Sequence, residues 1–128
     1  MGYNDRVKFS ELRGLTLLSI EGAEQGSDRV IFKTRQGLNF IMYHSQDCCE
    51  SVSLDEIHGD IQDLIGTPIL LAEESTSEEH PPEEYTPESF TWTFYRLVTI
   101  LGSVQLKWLG TSNGYYSERV DFERYIDG

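Results

Sequence analysis

Positive charge is what this chain has least of. Ten of its 128 residues are Lys or Arg against 22 Asp or Glu, a formal net charge of −12. A protein that grips nucleic acid unaided needs a basic face to displace condensed counterions, so direct DNA or RNA binding is not expected. An anionic membrane surface is disfavoured on the same ground. No run approaches the ~18 consecutive apolar residues of a membrane span, and no apolar stretch near the N-terminus reads as a signal peptide. Met1-Gly2 opens like a myristoylation site, but Arg6 stands where that motif wants Ser or Thr. Cysteine is as scarce: Cys48 and Cys49 are neighbours and make no disulfide framework. Phosphate-cradling glycine loops, G-x-S-x-G and H-E-x-x-H are all absent. These absences point to a soluble, acidic, intracellular protein with no cofactor, and 128 residues is one domain's worth of chain.

The acidity is concentrated. Glu73, Glu74, Glu78, Glu79, Glu83, Glu84 and Glu88 fall in a stretch without Lys or Arg, together with three of the four prolines, Pro81, Pro82 and Pro87. Such a segment buries too little apolar surface to offset its ordering entropy, so residues 73–89 read as an acidic mobile loop. His80, within it, reads as exposed.

Elsewhere the pattern is mostly strand. Arg29–Thr34 and Leu38–His44 are β-rich runs joined by Arg35-Gln36-Gly37. Phe90-Thr91-Trp92-Thr93-Phe94 alternates strictly, and the aromatic face, with Trp108, reads as core because aromatics bury so much area. The run continues to Ile100, and Leu101-Gly102 turns it into Val104, Leu106 and Trp108. Asn113-Gly114 reads as a two-residue hairpin turn, after which Tyr116, Glu118, Val120 and Phe122 share a face. Helical signals are short: one turn over Ser10–Arg13, and a capping-box spacing at Ser53-Leu54-Asp55-Glu56 leading into Ile57, Ile61, Leu64 and Ile65. Gly59 weakens the middle of that stretch, and Gly66 and Pro68 end it.

The chain also echoes itself. Glu11–Glu21 lies over Asp63–Glu73 at an offset of 52 residues, with Gly14 over Gly66. Each piece is followed by a hairpin and then by a turn, Cys48-Cys49-Glu50-Ser51-Val52 in one case and Tyr115–Val120 in the other. The expected fold is α+β and mostly antiparallel β. Two similar β-meander halves, 9–54 and 61–122, with one or two short helices, form a single compact domain over 1–128.

Reactive side chains are densest at Tyr43-His44-Ser45-Gln46-Asp47-Cys48-Cys49-Glu50. As a nucleophilic site, Cys48 or Cys49 would be the thiolate, His44 its base and Asp47 the group orienting the imidazole. Against it, Asp47 and Glu50 flank the pair where a low thiol pKa needs an electropositive setting. As a metal site, His44, Cys48, Cys49 and Glu50 with His58 supply ligand types without a known zinc spacing. The structural alternative makes the cysteines small buried hydrophobes at a turn, and the echo favours it, because the matching place in the second half is Tyr115-Tyr116.

Four strings carry a family likeness: Tyr43–Val52, Gly66-Thr67-Pro68-Ile69-Leu70, Thr91-Trp92-Thr93-Phe94-Tyr95 and Thr111–Ser117. Over roughly Phe9–Phe122 the chain resembles a family of small proteins of unknown function, the DUF7448 type, frequent in bacteriophage genomes. The resemblance implies a phage or prophage origin and the cytoplasm of a bacterial host cell, and it supplies no activity. The expectation is therefore a non-enzymatic accessory protein that binds a protein partner, such as a host or host-defence protein. Its acidic loop, with Asn113, Tyr115 and Tyr116, would form the binding surface; the loop's carboxylates would either occupy a basic nucleic-acid-binding groove or serve only to keep the protein soluble. The alternatives are a small-ligand (nucleotide) binder, in which His44, Gln46, Asp47 and Glu50 face Asn113, Tyr115, Tyr116 and Glu118, and a cysteine- or metal-dependent hydrolase at His44 and Cys48-Cys49. An exposed strand edge also leaves a homodimer open.

Overall fold

A run of alternating buried and exposed residues becomes a strand when one face can be covered, and the described residues form eight. In the computed structural model, which describes residues 6–83 and 86–125, they are β1 (Leu17–Glu21), β2 (Arg29–Thr34), β3 (Asn39–Tyr43), β4 (Ser51–His58), β5 (Leu71–Ser77), β6 (Ser89–Thr99), β7 (Gly102–Ser112) and β8 (Asp121–Arg124). Met1, Gly2 and Glu84, touched on above, lie outside the described residues. Single 3₁₀ turns at Phe9–Leu12 and Ile61–Leu64 precede β1 and β5. The helical part of the expected α+β fold is thus reduced to these two turns, and the architecture is mostly antiparallel β. No helix among the described residues is long and apolar enough to cross a membrane.

The strands form two four-stranded sheets, ordered β1-β2-β3-β8 and β4-β7-β6-β5. The same order of elements, a turn and four strands, occurs twice along the chain, and each time the fourth strand leaves its own meander. β4 pairs with β7, and β8 pairs with β3. The starts of the two halves meet reciprocally: Gly14 N–H donates to Ile69 O (2.8 Å) and Gly66 N–H donates to Leu17 O (3.0 Å). Between them, Thr16 and Pro68 form an antiparallel bridge. These are the positions related by the 52-residue echo.

One core lies between the sheets. Phe32, Phe40, Met42 and Phe122 from the first meet Leu54, Tyr95, Leu97, Leu106 and Trp108 from the second. Trp108 Nε1–H donates to Met42 Sδ across the interface (3.1 Å). Phe122 brings β8 into this core, stacking on Phe40 (centroids 5.3 Å) and meeting Phe9 edge-on (5.2 Å).

The structure corrects four sequence expectations about secondary structure. Ser53–Glu56 is not a capping box: Val52 and Leu54 are buried at period two in β4, and the second 3₁₀ turn is capped instead by Asp60, whose Oδ1 accepts Gln62 N–H (2.9 Å). Asn113-Gly114 closes no hairpin, because the chain crosses to the other sheet after β7. That crossing needs Gly110: a Cβ there would stand 2.5 Å from Glu118 O. The acidic loop is shorter than 73–89, since Glu73 to Ser77 are paired with β6. Finally, the aromatic face of β6 is not core. Tyr95, Leu97 and Thr99 are buried toward the other sheet, which fixes the parity of the strand. Thr91 and Thr93 therefore point inward, and Phe90, Trp92 and Phe94 point outward.

Candidate functional site

The turn after β3 is organised around one carboxylate. Glu50 is buried while its neighbours Asp47, Cys48, Cys49 and Ser51 are exposed. Its carboxylate accepts the backbone N–H of Asp47 (2.8 Å) and of Cys48 (2.9 Å), and lies 2.7 Å from His44 Nε2. The other ring nitrogen, Nδ1, lies 2.7 Å from Arg119 O on the segment entering β8. With Glu50 ionised, both ring nitrogens of His44 face acceptor oxygens. The His44 hydrogen bond is the largest influence holding the Glu50 carboxyl down to about 2, against the opposing effect of burial and with help from the two amides.

The residues offered as nucleophile, base and orienting acid are arranged differently in the structure. His44 is oriented by Glu50, not Asp47, and contacts no sulfur. Cys48 and Cys49 are exposed rather than buried, and are joined to each other by a disulfide, so neither is a free thiol. The exposed turn follows from Glu50, which takes the buried position the cysteines were expected to fill. His58 stands at the far end of β4, exposed, 3.9 Å from Glu56. No three His, Cys, Asp or Glu among the described residues converge on a point where a metal ion would sit. In the second half the same place holds hydroxyls: Glu118 accepts Thr91 Oγ1–H (2.7 Å) and Ser112 Oγ–H.

The expected binding residues are divided among three places. Glu74 projects on the inner face of β5, and Glu73 lies on the outer face opposite Arg96. Glu78, Glu79, Glu83 and Glu88 are exposed on the connection from β5 to β6. Tyr115 is 88% exposed at the turn after β7, next to Asn113, whose Oδ1 accepts its N–H (3.0 Å). Tyr116 is half-buried and turned toward β6. His44 reaches Arg119, on the segment between the turn after β7 and β8.

The acidic connection crosses the outer face of the second sheet. Trp92 is only 8% exposed although it points away from the core, because residues 80–83 lie over it and its Nε1–H donates to His80 O (2.6 Å). Lys107 packs its ammonium over the same indole, 4.3 Å from the ring centroid, and pairs with Glu56 (3.2 Å). A cavity of about 580 Å³ remains beneath the strap, with Trp92, Phe94 and Leu109 below and Asp55, Glu56 and Glu83 at the rim. Sequence reasoning missed Lys107, Asp55 and Glu56 here. The signal that finds them is strand parity: Lys107 alternates with the buried Leu106 and Trp108, so it must share a face with its cross-strand partners Glu56 and Phe94.

No curated protein and no solved structure matches the chain. A family model described as a domain of unknown function, DUF7448, matches residues 10–122, and the chain belongs to that family.

Proposed function

We propose that this protein is a non-enzymatic binding module whose outer second sheet and acidic strap take a positively charged protein surface, of the kind that otherwise holds nucleic-acid phosphates. The observation that carries the reading is the Trp92–His80 hydrogen bond, which fastens a carboxylate-rich strap over outward-facing aromatics. Aromatic anchors inside a charged rim are the usual make-up of an energetic centre at an interface. The cation of Lys107 on the Trp92 ring has the chemistry that a partner's Arg or Lys would bring. The net charge of −12 steers a basic partner from a distance. A phage or prophage accessory protein that blocks a host protein by occupying its basic groove fits this chemistry.

The test uses a labelled arginine-rich peptide as a surrogate for the basic surface, titrated by fluorescence anisotropy across salt. Neutralising Glu78, Glu79, Glu83 and Glu88 to Gln should weaken binding and flatten its salt slope, and Trp92→Leu should weaken it further at every salt concentration. Affinity and slope unchanged by both variants would refute the proposal.

A further inference from the structure

A second cavity, of about 380 Å³, lies on the opposite face of β5 and β6, between their inner surface and residues 116–120. Its chemistry is unlike that of the outer face. Thr76, Thr91 and Thr93 line it with hydroxyls, and Glu74 and Glu118 supply carboxylates. Glu74 stands opposite Tyr95 in the ladder, whereas Glu118 is fixed at Thr91. Thr91 and Tyr95 are four residues apart on one strand, roughly 13 Å at the usual rise. The two acids therefore mark opposite ends of an elongated crevice.

Neither acid is neutralised by a close cation. Glu118 takes two neutral hydroxyls, and Glu74 has no hydrogen-bond or ion-pair partner among the described residues. The one base in the wall, Arg119, pairs with Asp121 (3.3 Å) and acts on Glu74 only from beyond ion-pair distance. Burial raises the Glu74 carboxyl pKa, with Arg119 opposing. Next on the same face after Thr93, Tyr95 is fully buried beside Glu74, and its hydroxyl has no hydrogen-bond partner.

We infer that this crevice binds an extended aliphatic polyamine, with one ammonium on Glu74, another on Glu118, and the methylene chain along the threonine methyls and Val120. Each ammonium has three donors and no acceptor, which suits a carboxylate flanked by hydroxyl oxygens. A nucleotide phosphate would meet two carboxylates and a guanidinium already paired. A neutral sugar would leave both acids without a counter-charge. A single metal ion cannot bridge carboxylates at opposite ends.

The experiment is calorimetric titration of the intact chain with spermidine, putrescine and, as a monoamine control, butylamine, at matched ionic strength. Spermidine should bind at least tenfold tighter than butylamine, and E74Q should cost about tenfold. A Glu11→Gln, Glu24→Gln double variant, which removes two exposed charges outside both surfaces, should change affinity less than twofold. Methyl NMR should shift Thr76, Thr91, Thr93 and Val120 on binding. Absence of binding, or equal weakening by E74Q and the Glu11→Gln, Glu24→Gln variant with no localised methyl shift, would overturn the inference and identify only diffuse counterion attraction. The result is independent of the outer-face proposal, because no strap or outer aromatic residue lines this crevice.

Discussion

Trp92→Phe should loosen the acidic strap by a calculable amount. The substitution keeps an aromatic ring on the outer face but removes the indole N–H that donates to His80 O at 2.6 Å. A hydrogen bond of this kind has a net value of about 1 kcal/mol. The Lys107 ammonium, 4.3 Å from the indole centroid, also loses part of its attraction, since a benzene face is a weaker partner than indole, a further ~0.5 kcal/mol. The sum of about 1.5 kcal/mol corresponds to a roughly tenfold larger population of open strap. Proteolysis by a Glu-specific protease reads that population directly, because Glu78, Glu79 and Glu83 lie on the strap and cleavage follows the open fraction when opening and closing are fast. Cleavage in the strap should accelerate about tenfold, while cuts elsewhere follow the change in global stability alone. A strap rate within twofold of wild type would show that the hydrogen bond does not hold the strap, and the outer-face reading would lose its main support.

Three other outcomes follow from the same structure. The Glu50 carboxyl is held to about 2 against an ordinary 4.5, chiefly by His44, so between those values the unfolded chain binds the extra proton. The stabilisation is complete above pH 4.5 and is lost as pH falls toward 2; the gap between the urea midpoints of wild type and E50Q should therefore be full at pH 6 and shrink steadily as pH falls from 4.5 toward 2, and a gap of constant size would contradict the assignment. Gly110→Ala forces a Cβ to within 2.5 Å of Glu118 O, and the overpacking should destabilise by roughly 1–3 kcal/mol; an unchanged midpoint in chemical denaturation would argue that residues 116–120 do not cross β7 closely. Phe122→Ala removes the ring that ties β8 to Phe9, Phe32 and Phe40, and should cost about 3–5 kcal/mol, with amide exchange in β3 rising more than in β6.

Local pattern made the two hairpins, β2–β3 and β6–β7, readable, because both carry their turn residues between β-rich runs. The turn–glycine–strand echo was readable for the same reason. Three features were not, and each depends on distant contacts. Which face of β6 is buried is decided by Tyr95, Leu97 and Thr99, whereas the five-residue window 90–94 taken alone favours the aromatic side. The destination of the chain after Asn113-Gly114 depends on the partner offered by β3, about which the turn itself says nothing. The burial of Glu50 contradicts its composition and is explained only by three converging donors, one from a side chain and two from the turn's own backbone. At the candidate site the acidic residues were legible as a charge run. The division of Glu74 from the strap acids was not, because it turns on β5 pairing through Ser77.

The doubled order of elements separates what serves the fold from what is left to serve a partner. His44 and Glu50 are six residues apart, and so are Ser112 and Glu118, each carboxylate fastening the chain just before a strand that leaves its own meander. An imidazole in one half thus has a hydroxyl in the other doing the same mechanical task, so the side chain that looked most like catalytic machinery needs no chemistry to explain it. What the halves do not share is concentrated in the second. β6 and β7 have 11 residues each against 6 and 5 in β2 and β3, and the connection over residues 78–88 is longer than its counterpart over 22–28. The extra length carries Phe90 and Trp92 past the core, gives the strap its span across the sheet, and extends the inner face at Thr91 where Glu118 is fixed. Both proposed binding surfaces lie on this added length, one on each side of β6. An unequal elaboration of two like halves is therefore where partner and ligand recognition should be sought, and variants in the shared clasp should alter stability before they alter binding.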